Sequence, residues 1–434
     1  MKRLLCLFIG IAILFTGCTP SQKAQIGSLE QLEQPEHQEN VGKLEQSEQE
    51  IQSENREQSD ESGLYKTLLS PDNELSIVRK PSAADYSFIN PGKMIELPSG
   101  MRQGDFRSSD LSELDLEEKF EDLINADFDS KTKWPEKLPD GFDPELIMEL
   151  GKNPGLGVRE LHDKGITGKG IGIAIIDQGL LVDHVEYKDQ LKLYEEIHCS
   201  DDVAMMHGPA VASIAVGKTV GVSPEADLYY IAETHGVFKQ GEFEWDLTWL
   251  AKSIDRIVEI NRILPEGEKI RVISISLGIG GGMNGYEKAL ESVEKAKQEG
   301  IYTVYVGSNP FMGLGREPLE NADDINSYSK GKFWSSNGYS YNNDELLIPM
   351  DSRCTASPTG ENDYVFYREG GMSWSVPYVA GLYALACQVN PDTTPEIFWK
   401  EALSTGETVS VNNEDKLGKI VNPTKLIDRI EELK

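Results

Sequence analysis

The chain has 434 residues, with 42 lysine and arginine residues against 73 aspartate and glutamate residues and a net charge of −31. A chain of this length can bury a large core. Its negative charge argues against binding to nucleic acid and against electrostatic adhesion to anionic lipid. The five cysteines are too sparse to suggest a disulfide framework.

The first 17 residues have the parts of a secretory signal. Residues 1–3 give a positive start, residues 4–15 an apolar core, and the segment ending in Gly17-Cys18 a cleavage site. The apolar run is too short to be a comfortable transmembrane helix. The Gly17-Cys18 pair resembles a bacterial lipoprotein signal, in which Cys18 becomes the lipidated first residue and anchors an extracytoplasmic protein to the cell membrane. Plain secretory cleavage is the alternative.

Two segments lie between the signal and the main domain. Residues 18–62 are rich in glutamine, glutamate and serine, so they cannot bury enough apolar surface to fold, and a disordered tether is predicted. Residues 63–150 form an extension with short strands predicted at 75–78 and 94–97 and a helix at 114–123. The prolines at 135, 139 and 144 are expected to break the chain after that helix. This extension is either a pro-region or an accessory segment packed on the catalytic domain.

Residues 151–434 alternate between strand and helix patterns. Apolar runs at 170–177, 227–232, 271–277 and 301–306 indicate strands, and the helical patterns are at 245–263, 286–298, after Pro395 and at 423–433. The second of these helices is stopped by Gly300. Such alternation predicts the α/β class, with a parallel β-sheet sandwiched by helices.

Two residues in this domain suit acid–base chemistry. Asp177 closes the strand at 170–177, and open α/β sheets place their sites at the carboxyl ends of strands. His207 is followed by Pro209 and by small apolar residues, which predicts a helix whose first turn presents the imidazole. Taken singly, Asp177 could be a turn residue, and a histidine in such a context is more often structural than catalytic.

The order of the chain makes Ser373 the decisive residue. Its hydroxyl is predicted at a helix N-terminus, with Pro377 in the first turn. A serine nucleophile needs an imidazole base, which in turn needs a carboxylate to orient it. All six histidines precede Ser373, so the order serine, aspartate, histidine of the α/β-hydrolases is excluded and the order Asp177, His207, Ser373 remains.

The motifs around these three residues resemble those of the subtilisin-like serine peptidases. The matching stretches are residues 175–179, 207–213 and 371–381, supported by 221–226, 272–278 and 306–309. The resemblance covers roughly residues 165 to 405. It implies a serine endopeptidase that acts on protein or peptide substrates through an acyl-enzyme. It also implies that Asn309 and the Ser373 N–H stabilise the oxyanion.

Six positions depart from the usual family pattern, namely Pro209, Ala210, Ser308, Met372, Trp374 and Tyr378. The family usually has methionine where Trp374 stands, and a methionine beside the nucleophile is an oxidation liability. None of the departures removes a triad atom. We therefore expect an active enzyme that is slow or narrow in specificity, with resistance to peroxide at position 374.

The substrate and cofactor expectations also come from the resemblance. Ser276, Leu277 and Gly278 are expected to line the cleft, where an exposed strand edge can pair with an extended peptide. The glycines at 280–282 either flank that cleft or form a flexible turn. Residues 217–221 leave no room for the calcium loop common in relatives, so no metal or cofactor is predicted there, although calcium elsewhere stays open on so acidic a chain. We expect a monomer.

Two other functions are suggested by parts of the sequence. One is a catalytically weak or inactive lipoprotein of the same fold, acting as a peptide-binding or sensory module. The other is nucleotide binding, prompted by the glycines at 168–172. A phosphate-binding loop comes after its strand, whereas this cluster precedes one, so nucleotide binding is rejected.

Overall fold

The computed structural model describes residues 56–60, 62–71, 74–86, 94–96, 102–332, 344–411 and 415–434. The signal segment and residues 18–55 of the predicted tether, which include Cys18, lie outside these ranges. The prediction of a disordered tether is wrong for residues 56–59, because they form a strand that pairs with Lys66–Leu69. Among the described helices, none has the length and apolar character that a membrane span requires.

The described strands, in chain order, are β1 (Arg56–Ser59), β2 (Lys66–Leu69), β3 (Met94–Glu96), β4 (Arg102–Asp105), β5 (Ala126–Asp129), β6 (Gly172–Asp177), β7 (Leu191–Cys199), β8 (Asp227–Ala232), β9 (Gly236–Lys239), β10 (Glu242–Trp245), β11 (Ile270–Gly278), β12 (Tyr302–Val306), β13 (Phe311–Arg316), β14 (Tyr328–Lys330), β15 (Leu346–Pro349), β16 (Arg353–Ala356), β17 (Tyr364–Tyr367), β18 (Glu407–Val411) and β19 (Asp415–Ile420).

The described α-helices are α1 (Phe120–Ile124), α2 (Pro144–Lys152), α3 (Val158–Asp163), α4 (His207–Val216), α5 (Thr248–Ile263), α6 (Tyr286–Gln298), α7 (Met372–Val389), α8 (Pro395–Thr405) and α9 (Pro423–Glu432).

The centre of the fold is a seven-stranded sheet in the order β1-β2-β7-β8-β6-β11-β12. The five strands from β7 to β12 in that order pair in parallel. One face of the sheet packs on a core that includes α4 and α7, and the other on a core that includes α5 and α6. Helices on both faces explain why β6 is buried along its whole length, and the predicted fold class is confirmed.

Several predicted elements differ from the observed ones. The segment at 75–78 makes only one isolated bridge, from Ile77 to Tyr194. The helix predicted at 114–123 begins only at Phe120, because turns occupy the residues before it and the Asp115 carboxylate accepts from the Glu117 N–H. The sequence led us to expect a break at Pro144. This proline instead begins α2, since a proline at the first helical position loses no hydrogen bond.

The N-terminal extension packs against the rest of the domain. Strand β2 pairs antiparallel with β7, and β5 pairs antiparallel with β17. The fully buried Glu195 carboxylate accepts from the Ser70 N–H at 3.1 Å, and Glu196 accepts from Arg79 Nε at 2.8 Å. Buried carboxylates need such partners, so these contacts favour an accessory segment over a detachable pro-region.

Replacing Arg79 by alanine should destabilise the fold strongly. Its guanidinium pairs with Glu196, whose side chain is 0 % exposed and would keep only the Tyr194 hydroxyl as a donor. Removal of one partner from a buried ion pair costs about 3–5 kcal/mol. Lys80→Ala is the matched control, because its pair with Asp183 is exposed and worth about 0–1 kcal/mol. Denaturant unfolding of both variants measures the difference. Equal losses of unfolding free energy would contradict this assignment.

Candidate active site

Asp177 and His207 meet at the carboxyl edge of the central sheet. Asp177 ends β6 and is 2 % exposed, and its Oδ1 accepts from the Gln178 N–H at 2.8 Å. The same oxygen lies 2.7 Å from His207 Nδ1. Donation from Nδ1 to this carboxylate fixes the imidazole tautomer and leaves Nε2 as the free base.

His207 is the first residue of α4, as predicted, and this helix lies very close to the sheet. A Cβ on Gly208 would lie 2.5 Å from the Tyr230 hydroxyl and 2.6 Å from the Gln178 carbonyl. Only glycine therefore fits directly after His207, and the close approach brings the imidazole to Asp177.

Ser373 is the second residue of α7, which begins at Met372. Pro377 consequently lies in the second turn and not, as predicted, in the first. Because proline has no N–H, the Ser373 carbonyl lacks its usual helical donor. The Ser276 hydroxyl supplies the missing bond, with 2.9 Å between Ser276 Oγ and Ser373 O. Strand β11 is thereby tied to the start of the helix.

The Ser373 hydroxyl faces Ser276 in this structure. Ser373 Oγ donates to the Ser276 carbonyl at 3.3 Å, and no hydrogen bond joins it to His207 within the described residues. The His207 ring instead packs at a steep angle against the Trp374 ring, with 5.4 Å between ring centroids. Hydrogen bonds of a catalytic serine are often long or misaligned without substrate, so rotation of the hydroxyl toward Nε2 is required for base catalysis.

The predicted substrate-binding residues Ser276, Leu277 and Gly278 form the end of β11. They are half-buried, and β11 pairs with β6 only as far as Ser274 opposite Ile175. Beyond that pair the β6 side of β11 has no partner strand in the described part of the sheet. A free strand edge beside Ser373 is the arrangement that an extended peptide can join.

Asn309 lies after β12 and a turn at Gly307. Its carboxamide Oδ1 accepts from the Tyr302 hydroxyl at 2.6 Å, and that hydroxyl accepts from Trp399 Nε1 at 2.9 Å. No sequence motif marks Tyr302 or Trp399, so neither contact was predicted, and among the described residues no hydrogen bond joins Asn309 to Asp177, His207 or Ser373.

A second imidazole–carboxylate pair, Glu233 and His235, stands next to Asp177. The Glu233 N–H donates to the Asp177 carbonyl at 2.8 Å, and His235 Nδ1 is hydrogen-bonded to the Glu233 carboxylate. Burial lowers the pKa of His235, but the carboxylates of Glu233, Asp177 and Asp201 together raise it, so the net pKa lies above the ordinary value. The position of this pair directly after a buried strand is the signal that could have revealed it.

His235→Asn should destabilise the protein more in acid than in alkali. Because the pKa of folded His235 is raised, its stabilisation is complete below the ordinary imidazole pKa and is lost as pH rises through the raised pKa. We expect a larger loss of unfolding free energy at about pH 5.5 than at about pH 9.

His162→Asn provides the control of opposite sign. Burial lowers the pKa of His162, so its stabilisation is present above the ordinary pKa and is lost as pH falls. Denaturant unfolding at both pH values tests the pair of variants. A pH-independent effect at His235 would contradict the ion-pair assignment.

The residue after the nucleophile should determine sensitivity to peroxide. Trp374 occupies that position and has no thioether sulfur, so among the two neighbours of Ser373 a methionine sulfoxide can form only at Met372. We expect activity to survive peroxide in the wild type and to be lost in Trp374→Met. Peptide mass spectrometry identifies the oxidised residue, and rapid loss of wild-type activity that parallels Met372 oxidation would show the prediction to be wrong.

The loop from Gly217 to Gly221 wraps around a buried carboxylate. Glu186 accepts from the Thr219 N–H at 2.8 Å and from the Val220 N–H at 3.3 Å. The Tyr364 hydroxyl also donates to it. Across the described residues, no three acidic, histidine or cysteine side chains are grouped as metal ligands would be. The absence of calcium at this loop and its binding elsewhere on the chain both stay predictions.

The fold and the site together are typical of serine hydrolases. They combine a parallel sheet covered by helices on both faces, an aspartate–histidine pair at its carboxyl edge, and a serine at a helix N-terminus beside that edge. The model of the Subtilase family, Peptidase_S8, matches residues 168–415. This is more than half of the chain, and the chain therefore belongs to the subtilase family of serine peptidases.

Curated relatives agree with this family. The chain is 26 % identical over 266 residues to the major intracellular serine protease of Bacillus subtilis (strain 168), covering 56 % of this chain and 77 % of the relative. It is 26 % identical over 275 residues to the intracellular serine protease of Paenibacillus polymyxa, covering 58 % and 77 %.

Among solved structures, the prenylagaramide maturation protease PagA is similar to this chain with a TM-score of 0.44 and 16 % identity. The similarity covers 63 % of this chain and 98 % of that chain.

Proposed function

We propose that this subtilase is an extracytoplasmic serine endopeptidase that cleaves peptide bonds through Asp177, His207 and Ser373. The observation that carries the proposal is the 2.7 Å hydrogen bond between Asp177 Oδ1 and His207 Nδ1 at the sheet edge where Ser373 begins α7. The contact between Ser373 and Ser276 supports the same site, because it holds the serine at the end of β11.

The mechanism is acyl transfer. His207 Nε2 takes the proton from Ser373 Oγ as that oxygen attacks the substrate carbonyl, and the imidazolium then gives the proton to the leaving amine. Water, activated by the same imidazole, hydrolyses the acyl-enzyme. Throughout, Asp177 orients the ring of His207 and stabilises its charged form.

Two donors are proposed for the oxyanion. As the second residue of α7, Ser373 has a backbone N–H that no helical carbonyl can accept, so it is free to donate. The second donor is Asn309 Nδ2. One such donor contributes roughly 10²–10³ in rate in comparable enzymes.

The substrate is a protein or peptide segment in extended conformation. We propose that it lies along the free edge at Ser276, Leu277 and Gly278, where its backbone adds a strand beside β11. Strand addition uses main-chain hydrogen bonds and so brings the scissile bond to Ser373 without a particular sequence. Selectivity would then come from the side chains around the cleft.

Location outside the cytoplasm is also a proposal. It rests on the signal predicted in residues 1–17 and on Cys18 as a lipidated residue that anchors the enzyme to the membrane. The two curated relatives named above are called intracellular, so the comparison with them does not support this location. No cofactor enters the proposed mechanism, and the protein is expected to act as a monomer without nucleic acid.

The second candidate function is a weak or inactive relative that binds peptides or senses them. Two observations favour it. The Ser373 hydroxyl donates to the Ser276 carbonyl and not to His207, and Trp374 packs against the His207 ring. This alternative keeps the peptide-binding edge but has no activated nucleophile.

Reaction with a fluorophosphonate probe tests the enzyme against the binding module. The wild type should be labelled, Ser373→Ala should not be, and Ser375→Ala should be labelled normally. Ser375 is a matched control because it lies two residues further along α7 and its hydroxyl has no hydrogen-bond partner among the described residues. Cleavage of labelled casein should show the same pattern. A folded wild type that reacts with neither reagent would favour the binding module.

A further inference from the structure

Tyr302 and Asn309 lie at opposite ends of one strand yet touch. Tyr302 begins β12, and the chain turns back after the strand through Gly307, which has φ +89°. The Ser308 N–H donates to the Tyr305 carbonyl at 3.0 Å, which closes this turn. As a result Asn309 Oδ1 comes within 2.6 Å of the Tyr302 hydroxyl.

The hydrogen-bond donors in this contact form a chain with one direction. An indole N–H can only donate, so the bond of 2.9 Å between Trp399 Nε1 and Tyr302 Oη makes the tyrosine oxygen an acceptor. The Ser308 hydroxyl, whose oxygen accepts from the Tyr305 N–H at 3.1 Å, is a second donor to Tyr302. The single proton of Tyr302 is then left for Asn309 Oδ1. Burial raises the pKa of Tyr302, so this proton stays in place.

This direction determines which way the Asn309 carboxamide faces. With Oδ1 bound to the Tyr302 hydroxyl, the NH₂ group lies on the other side of the carboxamide, and it has no hydrogen-bond partner among the described residues. Turning the amide over would leave the Tyr302 proton without its acceptor, which is unfavourable for a buried hydroxyl. The contact therefore leaves a donor, and not an acceptor, free at Asn309.

The surrounding rings hold the two aromatic side chains rigidly. Tyr302 and Trp399 are each 7 % exposed. Trp399 stacks on Phe311 with 5.8 Å between ring centroids, and Tyr302 meets Tyr383 edge to face at 5.1 Å. The Phe311 N–H also donates to the Asn309 carbonyl at 2.9 Å. Side chain and backbone of Asn309 are thus both bound to one aromatic cluster.

We propose that Tyr302, held by Trp399, is a positioning residue that orients Asn309 so that Nδ2 donates to the reaction oxyanion. The inference rests on the proposed function, because it needs Asn309 as the oxyanion donor. Tyr302 itself does not touch the substrate. It acts before the reaction, by keeping the donor in the orientation that the transition state requires.

A double-mutant cycle tests the proposal. Tyr302→Phe is made in the wild type and in Asn309→Ala, and kcat and KM are measured with a peptide p-nitroanilide selected by a screen. Asn309→Ala should lower kcat roughly 10²–10³-fold. Tyr302→Phe should lower kcat about 10-fold with KM unchanged, since misplacement of a catalytic group costs up to about 10²-fold. When Tyr302→Phe is added to Asn309→Ala, it should cause no further loss of kcat.

Two more variants separate positioning from general packing. Tyr383→Phe is the matched control, because it removes a hydroxyl from the same aromatic cluster. That hydroxyl donates to the Thr393 carbonyl at 3.1 Å and not to Asn309, so the variant should keep full activity. Trp399→Phe removes the indole donor, keeps an aromatic ring, and should lower kcat in the same direction as Tyr302→Phe. Melting temperatures show which variants are folded.

The outcomes discriminate between the two proposals. In an enzyme whose activity depends on Ser373, three results would overturn the positioning role only. The first is a Tyr302→Phe loss of kcat that is equal in the wild type and in Asn309→Ala, and the second is a change in KM alone. The third is no effect of Tyr302→Phe or of Asn309→Ala on kcat. Hydrolysis that persists in Ser373→Ala, or no hydrolysis by the wild type, would overturn the proposed function and this inference together. If Tyr302→Phe does not fold, the same cycle with Trp399→Phe decides.

Discussion

The parallel pairing of β6 with both β8 and β11 is the constraint on which the site depends. Because the three strands run the same way, they end at one edge, which brings Asp177, Glu233 and Ser276 together from distant parts of the chain. Each strand is covered on both faces, so its backbone cannot shift without disturbing two cores. The edge therefore offers fixed positions to the side chains that the adjoining loops and helices bring to it.

Helix α7 is attached to this sheet at both ends. At its start, the Ser276 hydroxyl bonds the carbonyl that Pro377 leaves without a donor. Near its end, Gln388 Oε1 accepts from the N–H groups of Thr167 and Gly168, at 2.8 Å and 2.7 Å, in the loop before β6. In between, Gly381 lets the helix approach Val222 closely. The distance between the proposed nucleophile and the strand that carries its carboxylate partner is thereby fixed.

The central sheet could be predicted from sequence because its strands are unbroken apolar runs, and β8, β11 and β12 agree with the predicted segments to within one residue at each end. The strand that ends at Asp177 was predicted from the same kind of apolar run, and the helices that begin near His207 and Ser373 from proline and small residues. The features that could not be predicted depend on tertiary contacts. Tyr302 is hydrogen-bonded to Trp399, which lies 97 residues later in the sequence, and Trp374 contacts His207 only through packing of their rings. Helix α5 begins later than expected because Trp245 belongs to the β9–β10 hairpin.

Strands β1 and β2 also determine how the sheet ends. Without them, β7 would be the edge, and β7 is a nine-residue strand with eight buried residues and a full row of unpaired backbone groups. Such an edge is a template for pairing between molecules. The edge strand present instead is β1, four residues long with the sequence Arg-Glu-Gln-Ser. Strands β1 and β2 thus protect the folded protein against aggregation through its sheet, a benefit that would matter most where many copies are concentrated on one surface.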